Sequence, residues 1–259
     1  MEIKKKRLEL IDSIRGFAIL SMIGFHACWI MSYFGLFIPH DMIYSTAFII
    51  WERSICCTFI FISGFSFGLG RRQLKKGLIV LSLGVAITVL SVLFANDIRD
   101  VFGVLWILGL SPIIIYPLDK ILKEKMDDNK IISILFLIVS LLLLLIFWNI
   151  NKGYLFLDNF GKIVLPRKLY RGYFMTFLGF LDPTFYSVDY FSLLPWIFLY
   201  LAGYFTNKII KNSIFEETVL IKGIPFVKTI GKYSLPIYLI HPVVIFIICL
   251  LTVVIMKAI

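Results

Sequence analysis

The sequence predicts an all-α protein, a polytopic transmembrane bundle of about seven helices whose N-terminus lies in the cytoplasm. Apolar residues make up 60% of the chain, whereas soluble domains are roughly 45–50% apolar. The mean hydropathy is +0.93, and several apolar runs reach the roughly 20 residues that a helix needs to cross the hydrocarbon core. Basic residues cluster between alternate runs, which is typical of cytoplasmic loops. These observations predict one transmembrane domain over residues 1–259, placed in a cell membrane.

Seven segments are predicted to span the membrane. The first, Ile14 to Leu36, follows a basic KKKR run and resembles a secretion signal. It is too long for the apolar region of such a signal and contains a histidine, so we expect a retained helix. The others are predicted at Tyr44 to Leu69, Gly77 to Ala95, Val101 to Leu118, Ile131 to Ile150, Phe191 to Phe205 and Ser234 to Met256. The fourth and sixth of the seven are short, so the pattern defines their ends least well.

The distribution of positive charge predicts the orientation. With the N-terminus inside, 18 of the 26 Lys and Arg residues fall on the cytoplasmic side, as the positive-inside tendency requires. The net charge of +10 is then explained by the membrane, and we predict no nucleic-acid partner. All four cysteines lie in apolar runs without metal-ligand spacing, so neither a disulfide nor a metal site is predicted.

One outer segment is too long to be a simple connection. Residues Asn151 to Tyr190 form a loop of about 40 residues, whereas structureless loops beyond about 15 are usually functional or disordered. The segment is rich in Phe and Tyr and holds five basic residues between Lys152 and Arg171. Two interpretations stay open. It could lie along the interface as an aromatic belt, which we favour, or it could cap a cavity and stack on a sugar.

Two histidines lie inside predicted spans, where an ionisable group is costly and indicates a functional site. His26 follows Arg15 by eleven residues, which places it about 16 Å deeper along a helix. His241 follows Lys232 by nine residues and is about 14 Å deep by the same rise. We therefore expect the two imidazoles at a similar depth, where they could meet across the bundle.

The second span adds polar positions to this layer. Ser63 and Gly64 precede Arg71 by eight and seven residues, which places them about 10–12 Å from the cytoplasmic edge of the membrane. A histidine with a pKa near neutrality can act as a general base or carry an acyl group, and basic residues at the inner mouth suit an anionic cosubstrate. The alternative is that the histidines only hydrogen-bond neighbouring helices, with His241 satisfying carbonyls that Pro242 frees.

At these residues a resemblance to a known family becomes visible. The stretch RLELIDSIRGFAILSMIGFHACW resembles the opening of prokaryotic relatives of the heparan-alpha-glucosaminide N-acetyltransferase catalytic domain. The spacing between its Arg15 and His26 is also similar to that of membrane acyltransferases that modify surface sugars. Four further segments resemble family motifs in order, so that the resemblance extends along nearly the whole chain: FIFISGFSFGLGRR, GVLWILGLS, DYFSLLPWIFLYLAGY and IGKYSLPIYLIHPV.

The resemblance implies an acyltransferase that moves an acetyl group from cytoplasmic acetyl-CoA to a sugar or glycan acceptor. His26 is then the expected general base. His40 is the alternative that the resemblance implies, because the eukaryotic enzyme of the family uses a histidine in the loop that follows. Asp12 and Arg15 match the family pattern LD–x–x–RG, with isoleucine in place of leucine. They could form a buried pair that orients His26, or they could only anchor the first helix.

Two binding regions are also implied. The residues expected near the cosubstrate are Ser63, Gly64, Arg71, Arg72, Tyr238 and His241, although the two arginines could be orientation anchors only. Those expected on the acceptor side are Asp189, Tyr190, Pro195 and Trp196. The expected partners are the lipid bilayer, acyl-CoA and a sugar or glycan, and a homo-oligomer is left open. A glycolipid transporter or flippase and a non-catalytic membrane protein are the alternative functions.

Overall fold

The computed structural model describes residues 7–70, 72–156 and 161–258, with the side chains of residues 122–128 left out. Within these ranges seven helices are long and apolar enough to cross a membrane, which confirms the predicted all-α bundle. They are α1 (Glu9–Tyr33), α2 (Thr46–Phe67), α3 (Gln73–Phe94), α4 (Val104–Asp128), α5 (Lys130–Ile146), α7 (Leu193–Ile210) and α10 (Ser234–Ala258). The protein is therefore an integral multi-pass membrane protein.

Shorter elements connect these helices. Three short helices are α6 (Tyr173–Leu178), α8 (Ile214–Thr218) and α9 (Pro225–Lys232). Strands β1 (Tyr154–Leu155) and β2 (Ile163–Val164) pair antiparallel, with Tyr154 opposite Val164. Single 3₁₀ turns occupy His40–Tyr44, Asn96–Ile98, Ile150–Lys152 and Arg167–Leu169.

Two helices continue well past the ends of the spans predicted for them, for identifiable reasons. Helix α4 was expected to end at Leu118 but continues to Asp128, because the following Lys, Glu and Met residues favour helix even where they are too polar for the membrane. Helix α7 was expected to end at Phe205 but continues to Ile210. Its extension includes Lys208, whose ammonium lies 3.2 Å from a carboxylate oxygen of Asp119. A paired charge can remain within a helix that hydropathy alone would end.

The chain divides into two compact units, residues 1–59 with 212–259 and residues 60–211. In the first unit, α1 packs against α9 at two glycines. A Cβ added at Gly16 would collide with the backbone carbonyl of Val227, and one added at Gly231 would collide with that of Asp12. Small residues allow helix backbones to approach closely within a membrane. The Ser13 hydroxyl also accepts a hydrogen bond of 3.0 Å from the Ile224 amide, just before α9.

In the second unit the helices also meet at small residues. Gly64 of α2 faces the Tyr200 carbonyl of α7, and Gly203 of α7 faces the Phe61 carbonyl of α2, so that a Cβ at either glycine would collide with backbone. On another side of α7, the rings of Phe136 and Phe205 lie nearly parallel with centroids 5.3 Å apart. Helix α7 is thus the most enclosed of the candidate spans.

Candidate active site

The first unit holds a pair of imidazoles within its transmembrane helices. Nδ1 of His26 on α1 lies 2.7 Å from Nε2 of His241 on α10, and the ring planes differ by 12°. The expectation that these two side chains could meet, drawn from their equal depth, is confirmed. As whole residues, His26 is half-buried and His241 is buried.

Backbone and aromatic groups hold both imidazole rings in place. Nδ1 of His241 lies 3.0 Å from the backbone carbonyl of Ile237, one turn earlier on α10. The ring of Phe25 packs 5.6 Å from that of His26, and Tyr238 packs edge-on against His241 at 6.0 Å. Phe25 belongs to a buried apolar cluster against which Tyr238 also packs. Tyr238, which was expected near the cosubstrate, is therefore next to the imidazole pair.

Aromatic packing fixes α1 against the start of α2 near the site. The ring of Trp51 meets that of Phe25 edge-on at 5.6 Å, and its indole nitrogen donates a 2.8 Å hydrogen bond to the hydroxyl of Ser21. Trp and Tyr bury well in apolar surroundings when the polar atom finds a partner. The contact restricts the rotation of α1 about its own axis, and with it the direction in which His26 points.

The predicted pair of Asp12 and Arg15 is present at the start of α1. Asp12 is buried and accepts a 3.0 Å hydrogen bond from Nη1 of Arg15, while its second oxygen is paired with Arg7. Asp12 precedes His26 by fourteen residues, about 21 Å along a helix. This ion pair therefore holds the beginning of α1, and any influence on His26 acts through the helix.

The alternative histidine lies in a different setting. His40 is exposed at the first position of the 3₁₀ turn His40–Tyr44. Its ring meets that of Tyr44 edge-on at 5.3 Å. The structure thus places His26 in a polar pair inside the helices and His40 in an exposed loop.

The remaining cosubstrate candidates belong to the second unit or to undescribed positions. Ser63 is a hydrogen-bond partner of the Tyr200 hydroxyl, and Gly64 lies against the Tyr200 carbonyl. Arg72 is exposed in a left-handed conformation just before α3, with φ of 60°. Arg71 lies outside the described residues.

The acceptor-side candidates pack within the second unit. A carboxylate oxygen of Asp189 accepts a 3.2 Å hydrogen bond from the Val104 amide at the start of α4. The Tyr190 hydroxyl donates to the Thr176 carbonyl at 2.6 Å, and burial raises the pKa of Tyr190 to about 12. Pro195 and Trp196 are buried at the start of α7, where the Trp196 ring lies 5.1 Å from that of Phe191.

One feature of this unit, the buried carboxyl of Asp100, was not predicted. Asp100, just before α4, is a carboxyl whose pKa is raised to about 8 by burial and by the negative charge of Asp189. The one signal of Asp100 in the sequence was its position immediately before an apolar span. The segment Asn151 to Tyr190, for which capping a cavity was one of two interpretations, lines an open cavity of about 950 Å³, and the lining includes Lys152, Arg167 and Arg171. No group of three His, Cys, Asp or Glu side chains suited to a metal occurs among the described residues.

Comparison with known proteins agrees with the resemblance in the sequence motifs. The family model described as heparan-alpha-glucosaminide N-acetyltransferase, catalytic, matches residues 7–243. That range includes both imidazoles, the first six candidate spans and the first part of α10, as far as Val243. No curated protein and no solved structure matches the chain. Because the match covers most of the sequence, the chain belongs to the heparan-alpha-glucosaminide N-acetyltransferase catalytic family, a family of membrane acetyltransferases.

Proposed function

We propose that this protein transfers an acetyl group from acetyl-CoA to an amino or hydroxyl group of a sugar or glycan, with His26 as the general base. The observation that carries the proposal is the imidazole of His26, paired with a second imidazole inside the helices of a chain from an acetyltransferase family. A polar ionisable pair at membrane depth is costly to maintain and indicates a function.

The chemistry needs few groups. His26 takes the proton from the acceptor N–H or O–H as the acceptor atom attacks the carbonyl carbon of the thioester. The bond from that carbon to sulfur then breaks, and coenzyme A leaves as a thiolate that regains a proton from the histidine. A positioned general base contributes about 10²–10⁴-fold to such a step. A variant route would place the acetyl group on His26 before the acceptor receives it.

The cosubstrate and acceptor are assigned to regions that the sequence motifs share with the family. With the N-terminus in the cytoplasm, the basic residues at the start of α3 face the acyl-CoA pool, where Arg72 and its neighbour Arg71 suit the coenzyme A phosphates. By the family resemblance, Ser63 and Gly64 of the second unit are candidate cosubstrate positions, and Tyr238 of the first unit is another. Asp189, Tyr190, Pro195 and Trp196 serve the acceptor.

The first test is acetyl transfer by the full chain in nanodiscs, with radiolabelled acetyl-CoA as donor and glucosamine or a glucosamine-terminated oligosaccharide as probe acceptor. His26→Ala should lower the rate by about 10²–10⁴-fold, the range for loss of a general base. Cys28→Ala, a smaller truncation two residues along α1, is the control and should keep the rate of the unmodified protein.

Other outcomes separate the alternatives. Full transfer by a folded His26→Ala protein would remove His26 as the base, and a loss confined to His40→Ala would assign that role to the loop histidine. Calorimetry should show saturable acetyl-CoA binding that the double variant Arg71→Ala/Arg72→Ala weakens. A folded protein that binds no acetyl-CoA at millimolar concentration would instead favour a glycolipid transporter or a non-catalytic role.

A further inference from the structure

We propose that His241 is a positioning residue that accepts the Nδ1 proton of His26 and thereby leaves Nε2 of His26 as the free basic nitrogen. The proposal rests on the proposed function, because it takes His26 as the base. The protonation pattern that it predicts can nevertheless be measured without any assay of transfer.

The backbone of α10 determines which nitrogen of His241 carries the proton. Nδ1 of His241 lies 3.0 Å from the Ile237 carbonyl, and the Tyr238 carbonyl is a further hydrogen-bond partner of the ring. A carbonyl oxygen only accepts hydrogen bonds, so the nitrogen that faces it must carry a proton. In a neutral imidazole the other nitrogen is then an acceptor. His241 is therefore protonated at Nδ1 and presents a lone pair at Nε2.

The sequence explains why this carbonyl environment exists. Pro242 follows His241 directly, inside α10. A proline lacks the N–H that would bond to the carbonyl four residues earlier, here that of Tyr238. The freed carbonyl adds an acceptor beside the ring, which favours the Nδ1-protonated form of His241. The hydrogen bonds that satisfy these carbonyls therefore also orient His26, because they fix the proton on Nδ1 of His241.

The second step is the bond between the rings. The 2.7 Å between Nδ1 of His26 and Nε2 of His241 is shorter than the roughly 3.5–4.0 Å of face-to-face van der Waals contact. The rings, whose planes differ by 12°, therefore meet edge to edge, as a hydrogen bond requires. Since Nε2 of His241 is the acceptor, Nδ1 of His26 is the donor. Nε2 of His26 then keeps its lone pair.

The consequence is a base with a defined direction. The hydrogen bond made by one imidazole nitrogen decides which form the ring takes, and holding the wrong form costs catalytic rate. When Nε2 of His26 takes up a proton, its Nδ1–H bond to His241 becomes charge-assisted and stronger.

Nitrogen-15 NMR on the histidine-labelled protein tests the arrangement directly. The chain contains three histidines, so the spectrum holds three imidazoles, and His26→Ala and His40→Ala assign them. We expect both His26 and His241 to be protonated at Nδ1 and bare at Nε2 at neutral pH. A proton on Nε2 and none on Nδ1 of His26 in the unmodified protein would overturn the proposal.

Two substitutions at His241 extend the test. In His241→Ala the fixed form of His26 should be lost, whereas in His241→Gln the amide oxygen can accept the same proton and preserve it. The kcat for acetyl transfer to glucosamine should fall at least about tenfold in the Ala variant, since small misplacements of a reacting group cost up to about 100-fold. The KM for acetyl-CoA should stay unchanged, and the Gln variant should recover most of kcat.

The controls separate the two proposals. Ile240→Ala alters the exposed neighbour on α10 and should change neither the spectrum nor kcat. If the predicted protonation is found but the protein transfers no acetyl group, the proposed function fails and the positioning role in catalysis fails with it. If transfer requires His26 and is indifferent to His241→Ala, the positioning role alone fails. Should the Ala variant not fold, the unmodified protein and the Gln variant decide.

Discussion

At the scale of single residues, we expect the carboxyl of Asp100 to make the stability of the protein depend on pH. Its pKa is raised from 3.8 to about 8 by burial and by the charge of Asp189. The folded state therefore binds a proton that the unfolded state releases between about pH 4 and pH 8, so stability should fall as pH rises through that window. Asp100→Asn keeps a similar shape but cannot ionise. It should flatten this fall and raise the melting temperature at pH 8 relative to the unmodified protein.

Thermal unfolding in nanodiscs at pH 5 and pH 8 measures the effect. Asp97→Asn is the matched control, because Asp97 is an exposed acid three residues earlier, and its curves should follow those of the unmodified protein. Equal slopes for Asp100→Asn and the unmodified protein would show that Asp100 does not hold the proton.

The same residues show what sequence reasoning reaches at this scale. The meeting of His26 and His241 follows from counting residues, because a helix rises by a fixed amount per residue. Asp100 was missed because its partner Asp189 is far away along the chain. Nothing in the sequence around either residue indicates that folding brings the two carboxyl groups close together. Which nitrogen of each imidazole faces the other depends on rotation about the helix axes, and hydropathy holds no information on that.

At the scale of elements, glycines set how closely the helices approach. Gly16 of α1 lies against the backbone carbonyl of Val227, whereas a Cβ at Gly24 of the same helix would make only ordinary contact, 3.6 Å from Trp51. Gly16→Ala should therefore destabilise the protein by about 1–3 kcal/mol, the usual cost of overpacking. Gly24→Ala should be neutral or stabilising, since alanine favours a helix by about 1 kcal/mol over glycine.

Melting temperatures of the two variants in the same lipid provide the comparison. A Gly16→Ala protein as stable as Gly24→Ala would mean that α9 can move away from α1 without cost.

Seven spans were predictable because a long apolar run has few alternatives to a membrane helix. The end of α7 was not, because Lys208 reads as the limit of a span until its contact with Asp119 is seen. The β1–β2 pair and α6 were missed inside a segment read as loop.

At the scale of the whole molecule, the division into two compact units could not be predicted, because it depends on which distant helices pack together. The first unit joins the beginning of the chain to its end, and the sequence contains no linker that marks the border. The orientation, by contrast, is a prediction from charge alone. It decides which pool of donor the site meets, because acyl-CoA is cytoplasmic and many modified glycans face outward.

Cysteine labelling in intact cells tests that orientation. In a background with all four native cysteines replaced by alanine, Lys162→Cys in the long outer segment and Lys222→Cys before α9 introduce single exposed thiols. With the N-terminus inside, a membrane-impermeant maleimide should label Lys162→Cys in intact cells and Lys222→Cys only after lysis. The reverse pattern would turn the basic start of α3 outward. It would then remove the reason to place coenzyme A phosphates at Arg72, while leaving the imidazole pair and its tautomer as they stand.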